Sequence, residues 1–192
     1  MPQESETTRP PQSCLRYESP VELYANIPQI AQLTQQRPRD EEGTLAFLAR
    51  LRSSTTPEEA VTFTAFAALP KMAIWWGYQC VRTTMTEPRP EDKLLMDLVA
   101  TWTRSPGDEN RYRAIRSALW EPRRSPAVFL ALAVGWSGGP IAPHDLAPVP
   151  VHRAPRAINS AILSSLATIS LRERPGHLAR FIDEAVSLFR VH

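Results

Sequence analysis

The chain has 192 residues, which is long enough for one domain, and its 43% hydrophobic and 22% charged residues are typical of a globular rather than a disordered protein. A net charge of +2 gives no argument for binding to nucleic acid or to an anionic membrane surface. The two cysteines form no CxxC pair, so no zinc framework is indicated.

The longest apolar run, residues 127–134, is far shorter than the ~20 residues that span a bilayer. The N-terminus has neither the basic region nor the apolar core of a signal peptide. We therefore expect a cytoplasmic protein that binds no membrane and no nucleic acid and that holds no cofactor or metal.

Residues 1–16 are polar, include Pro10-Pro11 and show no hydrophobic periodicity, which predicts a flexible leader. Residues 17–192 are expected to form one domain. Several helices are predicted to begin where Ser or Thr precedes Pro, because the hydroxyl accepts from free first-turn amides and Pro has no amide to leave unpaired. The pattern places helical segments at residues 20–26, 28–36, 41–51, 56–68, 70–85, 91–103, 108–120, 127–136, 156–171 and 177–190.

No segment shows sustained period-two alternation, and the predicted connections are short, so consecutive helices should pack antiparallel. We expect an all-α fold, a single compact bundle of about seven to nine helices. Five prolines in residues 140–155 forbid a regular helix there, which predicts a Pro-rich loop that leaves the bundle.

The predicted helix at residues 70–85 has two apolar stripes, roughly 140° apart. They consist of Leu69, Ala73, Trp76 and Cys80 on one side and of Ile74, Tyr78, Val81 and Met85 on the other. A surface helix needs one stripe, so this helix should be central and packed on two sides. Gly77 lies between the stripes, where a neighbour can approach closely. The tryptophans are interpreted mainly as core residues.

Charged residues on this helix permit two interpretations. Lys71 and Arg82 fall near the same side, with Trp75 close to them. They either hold an anion or mark the one solvated edge of the helix, which is the favoured interpretation. The densest basic region is diluted by three acidic residues and does not indicate a nucleic-acid site; its members are Arg111, Arg113, Arg116, Arg123 and Arg124.

Residues 135–139, Gly-Trp-Ser-Gly-Gly, match the G-x-S-x-G pattern of hydrolase nucleophile elbows. That chemistry requires a strand before the Ser and a helix after it. Residues 127–134 could form the strand, but a Pro-rich loop follows, and only His192 comes after Asp183 in the required order. In the alternative interpretation, Gly138 provides a left-handed helix end and Ser137 binds the backbone.

His144-Asp145 lies in the Pro-rich loop and could bind a metal or relay protons. The other histidines have no ligand spacing relative to it, so a solvated loop pair is expected instead.

Two strings resemble an uncharacterised bacterial family, a domain of unknown function whose members often occur near type VI secretion genes. The first is LPK-x-A-x-WW-x3-C at residues 69–80, and the second is W-SGG-x2-AP at residues 136–143. Pro148-Val149-Pro150 before a helix of small residues adds to the resemblance, which covers most of residues 40–190. The family usually has a further polar residue and Thr after the loop, where this chain has Val151-His152-Arg153.

The resemblance implies an accessory or adaptor role and no catalytic residue. The leading hypothesis is a non-enzymatic protein that binds another protein, possibly a type VI secretion component or effector. Two alternatives are a serine hydrolase that uses Ser137, and a helical module that binds a small molecule or peptide between the central helix and the Pro-rich loop. The candidate interaction surface consists of Lys71, Trp75, Arg82, Trp136, Ser137, Gly138, Gly139 and His144.

Overall fold

The computed structural model describes residues 14–145 and 147–190. Within these ranges all regular structure is helical, which confirms the predicted all-α fold. The α-helices are α1 Pro20–Asn26, α2 Thr44–Arg52, α3 Glu59–Ala67, α4 Pro70–Thr84, α5 Pro90–Arg104, α6 Asp108–Trp120, α7 Pro126–Gly135, α8 Arg153–Ala167 and α9 Arg174–Phe189, with a 3-10 helix at Pro28–Gln32. No described helix has the length and apolar character needed to cross a membrane.

Proline and serine mark several helix starts, as predicted. The hydroxyl oxygens of Ser19 and Ser125 accept hydrogen bonds from the amides of Glu22 (3.1 Å) and Val128 (3.3 Å), and a proline follows each serine. The Pro-rich loop is shorter than predicted, because α8 begins at Arg153 rather than after Pro155. Proline is tolerated in a first turn, where its missing N–H costs no helical hydrogen bond.

The middle of the bundle is formed by α4, α7 and α8. Helix α7 is apolar on all sides and packs against α4, α5, α6 and α8. Helix α4 packs against α3, α5, α7, α8 and α9, which confirms that it is covered on two sides. Trp76 and Cys80 of one stripe and Ile74 and Val81 of the other are all fully buried.

Two glycines allow this close packing. A Cβ on Gly77 would lie 3.0 Å from Ile158 Cγ2 and 3.1 Å from Leu130 Cδ2, so α8 and α7 approach α4 where the sequence predicted a close neighbour. At Gly135 a Cβ would lie 2.3 Å from Ile115 Cβ, a distance that real side chains do not adopt. The first glycine of the G-x-S-x-G string is therefore required by the contact between α6 and α7.

Replacing Gly135 with Ala is expected to lower the free energy of unfolding by about 2 kcal/mol, because overpacking a filled core forces backbone shifts. The clash falls on a Cβ of α6, which cannot move without its backbone. Urea unfolding measures the effect. Gly138→Ala is the matched control, since a Cβ there meets no atom within 4 Å. Equal stability of the two variants would contradict this account.

The end of the predicted leader is paired with the domain. The amide of Leu69 donates to the carbonyl of Cys14 (2.8 Å), and the amide of Arg16 donates to that of Ala67 (2.8 Å). Residues 14–16 thus run antiparallel to the link between α3 and α4. The rest of the predicted leader, residues 1–13, lies outside the described residues.

Candidate functional site

The structure separates the candidate residues into three places. Lys71, Trp75 and Arg82 lie on the exposed side of α4, residues 136–139 follow the end of α7, and His144 is exposed in the Pro-rich loop. Trp75 and Trp136 of the predicted groove line two different concavities among the described residues, and His144 lines neither of them. The start of the loop lies beside α6, where Ile141 and Pro143 line a surface depression together with Leu119 of α6.

Lys71 and Arg82 do not form a joint anion site. They are eleven positions apart on one helix, which corresponds to roughly 16 Å along its axis. The guanidinium of Arg82 lies over the ring of Tyr78, 6.0 Å from its centroid. The structure thus agrees with a solvated edge. The expectation that the tryptophans are mainly core residues is wrong for two of them. Trp75 is 43% exposed and Trp120 is 83% exposed.

Ser137 is bound to the backbone, as the alternative interpretation expected. Its hydroxyl donates to the carbonyl of Val134 (2.7 Å). Helix α7 precedes it and a turn follows, so the strand–turn–helix of a nucleophile elbow is not found in the described part of the chain. The left-handed residue is Gly139 (φ 66°) rather than Gly138, because the turn continues one residue further than predicted.

Arg111 holds this segment in place. It is 3% exposed and donates to the carbonyls of Gly135 (3.1 Å) and Pro140 (2.7 Å). Its other guanidinium nitrogens bind Asp108 Oδ1 (3.0 and 3.2 Å). The sequence placed Arg111 in a diluted basic region, but its guanidinium instead donates to a buried carbonyl at the end of α7 and to a partly buried carbonyl at the start of the Pro-rich loop.

His144 and Asp145 form a local turn rather than a chemical site. The amide of Asp145 donates to Ala142 (3.0 Å), and its carboxylate accepts from the amide of Ala147 (3.0 Å). Within residues 14–145 and 147–190, no three His, Cys, Asp or Glu side chains are close enough to hold a metal ion. These contacts account for the Asp145 carboxylate without a ligand.

An open apolar groove lies between α4 and α9, which we call the α4–α9 groove. It has a volume of about 540 Å³ and is lined by Cys14, Met72, Trp75, Arg180, Asp183, Glu184, Ser187, Leu188 and Arg190. The helix periodicity of α4 explains why Trp75 is exposed at this groove. Ile74 and Trp76 are both buried and point to opposite sides of α4, so Trp75 between them points outward. On α9 the buried side chains Phe181, Ile182 and Ala185 leave the lining residues on the other face.

The charged residues that line this groove differ in whether they form ion pairs. Asp183 is paired with Arg52 of α2. Arg180 and Arg190 form no ion pair with any carboxylate of the described residues. Burial raises the pKa of Glu184, and nearby Arg180 opposes that shift. The rim therefore carries two arginines that lie outside the ion pairs of the described residues, with Glu184 near Arg180.

The buried cysteine of α4 is not suited to thiol chemistry. Cys80 is fully buried, and this burial, with a smaller contribution from Glu184, raises the pKa of its thiol far above the usual range. A reactive cysteine needs the opposite shift, toward the thiolate. The groove combines an exposed aromatic ring, apolar lining residues and two arginines outside the ion pairs of the described residues.

The chain belongs to DUF6931, a family of unknown function, whose model matches residues 47–189. This match confirms the predicted membership of a family of unknown function and extends from α2 to the end of α9. Comparisons with curated proteins and with solved structures gave no significant match. Both helical walls of the α4–α9 groove lie inside the family region, and the lining residues Cys14 and Arg190 lie outside it.

Proposed function

We propose that this protein is a non-enzymatic adaptor whose α4–α9 groove binds an amphipathic helix of another protein. The observation that supports it most directly is Trp75, which is 43% exposed on the wall of an open apolar groove. Tryptophan and arginine are the residues most enriched at the energetic centres of protein interfaces. The groove has both types, with Arg180 and Arg190 at its rim.

The shape of the groove fits a helix. Along α9, its lining residues 180, 184 and 187 follow the i, i+4, i+7 spacing of one helix face, over about 10 Å. A volume of about 540 Å³ lies within the usual range for binding clefts and accommodates a few large apolar side chains. Amphipathic helices bind such grooves through anchors one to two turns apart.

The charges favour an acidic partner helix. Arg180 and Arg190 form no ion pair with the described carboxylates, and Asp183 is paired with Arg52. Glu184 also lines the groove near Arg180, but burial disfavours its charged form. Arginine binds carboxylates through two parallel hydrogen bonds, so Glu or Asp beside the apolar anchors of the partner would complete the interface. Such charges raise the association rate and select against basic partners.

The chain's own N-terminus is a poorer occupant. Residues 1–13 precede Cys14 at one end of the groove, but their large apolar side chains are limited to Met1 and three prolines. They contain no Leu, Ile, Val, Phe, Tyr or Trp that could form an apolar helix face. A separate protein therefore fits the groove better.

We propose a type VI secretion component or effector as that partner, in the cytoplasm. The resemblance of residues 69–80 and 136–143 to proteins encoded near such genes supports this choice. The adaptor role is also supported by the engagement of Ser137 with the backbone and of Asp183 with Arg52, since both side chains already have structural partners.

Trp75→Ala is expected to weaken partner binding at least tenfold, because loss of an interface tryptophan typically costs ~2 kcal/mol or more. The partner is first captured from the native cell and identified by mass spectrometry, and its affinity for the purified variants is then measured. Trp120→Ala is the control, since Trp120 is exposed at the end of α6, outside the groove. Unfolding of Trp75→Ala should stay close to wild type.

Three outcomes would contradict parts of the proposal. Equal weakening by Trp75→Ala and Trp120→Ala would remove the groove as the binding site. Capture of partners without any secretion component would remove the type VI assignment. Much tighter binding after deletion of residues 1–13 would show that the chain's own N-terminus occupies the groove.

A further inference from the structure

A second concavity, the α7–α8 pocket, lies between the end of α7 and the start of α8 and has a volume of about 270 Å³. One wall is apolar and is formed by Phe129, Leu132 and Trp136 of α7 and its end. The opposite edge is polar and is formed by His152, Arg153 and Arg156. The pocket lies within the family region and away from the α4–α9 groove.

The two arginines of this pocket form no ion pair within the described part of the chain. The guanidinium carbon of Arg153 lies 5.7 Å from the centroid of the Trp136 ring, which orients that side chain over the pocket wall. Arg156, one helical turn later, forms neither an ion pair nor a side-chain hydrogen bond with any described residue. Two positive charges thus face one pocket, and no carboxylate of residues 14–145 and 147–190 is paired with them.

The same two arginines affect the pKa of His152. Burial lowers its pKa, and the positive charges of Arg156 and Arg153 lower it further. The lining residues contributed by α7 are uncharged, so no acidic group opposes the arginines from that wall. The neutral imidazole can accept or donate a hydrogen bond at the pocket edge.

We propose that the α7–α8 pocket binds a small organic phosphate ester. Arg153 and Arg156 bind the phosphoryl group, and the apolar body of the ligand packs on Phe129 and Leu132. Residues three apart on a helix are neighbours on one face, so both guanidinium groups can reach one anion. A phosphate dianion matches two arginines in charge and offers three oxygens, whereas a carboxylate is satisfied by one arginine.

The test is calorimetric titration of the full chain with phenyl phosphate. We expect saturable binding at one site, and at least tenfold weaker binding by Arg156→Gln. Arg172→Gln is the matched control, because Arg172 is exposed beyond the other end of α8, a helix roughly 22 Å long. Arg156 is exposed, and its side chain forms no hydrogen bond or ion pair with a described residue, so its replacement should leave the melting temperature unchanged.

Four further probes separate the contributions of the phosphoryl group and of the apolar body. Inorganic phosphate should bind more weakly than phenyl phosphate, and benzyl alcohol should not bind, because each lacks one half of the ligand. The proposal is wrong if phenyl phosphate fails to bind at millimolar concentration or binds both variants alike. Benzoate binding as tightly as phenyl phosphate would overturn the phosphate class, and tighter binding of a phosphotyrosine peptide would overturn the small-molecule class.

Discussion

Trp76→Ala is expected to lower the free energy of unfolding by about 3–5 kcal/mol. Trp76 is fully buried in α4, so its removal leaves a cavity among residues that α8 and α9 hold in place. Its indole N–H also donates to the carbonyl of Phe181 in α9 (3.1 Å), and the truncation removes this hydrogen bond between α4 and α9.

The adjacent residue provides the control. Trp75→Ala removes the same side chain from the same helix, but Trp75 is 43% exposed and donates no such hydrogen bond. We expect a loss of about 1 kcal/mol or less for this variant. Urea unfolding followed by far-UV circular dichroism compares the two. A Trp76→Ala protein that unfolds at the wild-type midpoint would contradict the central position of α4.

Arg111→Ala is expected to cost about 3 kcal/mol. The buried guanidinium donates to the carbonyls of Gly135 and Pro140, and an unsatisfied buried acceptor costs about 1–3 kcal/mol. Its ion pair with Asp108 adds little, because the Asp108 side chain is 77% exposed. The loss should be greatest at the turn of residues 136–140, which Arg111 fastens to α6.

Arg113→Ala is the matched control, since it removes the same charge from an exposed position of α6. We expect its stability to stay within about 0.5 kcal/mol of wild type. Amide hydrogen exchange should show faster exchange at residues 136–140 in Arg111→Ala alone. Equal effects of the two variants would show that Arg111 acts as a surface charge.

The helical fold was predictable because its signals are local. A hydroxyl before a proline marks the starts at Ser19 and Ser125, and hydrophobic periodicity over three turns marks the faces of α4 and α9. The burial of Trp76 and the close approach at Gly77 follow from the same pattern, since two stripes demand two neighbours. The predicted Pro-rich loop was too long because it extended to Pro155. Proline is tolerated in the first turn of a helix, and α8 begins at Arg153.

The candidate sites were not predictable in this way. The α4–α9 groove joins side chains about a hundred residues apart, and the α7–α8 pocket joins Trp136 to Arg153 across the Pro-rich loop. Arg111 resembles its neighbours Arg113 and Arg116 in sequence, and only its position opposite two carbonyls distinguishes it. No local signal could have separated them.

The sequence by itself determined that this chain forms helices, where most of them begin and end, and that α4 is central. Those properties depend on hydrogen bonds and side-chain faces within one helix. Only the tertiary structure decided that Trp75 is exposed beside α9, that Arg111 is buried, and that Arg153 and Arg156 face Trp136. These depend on which helices meet and at what distance, because burial and charge pairing are properties of contacts between distant parts of the chain.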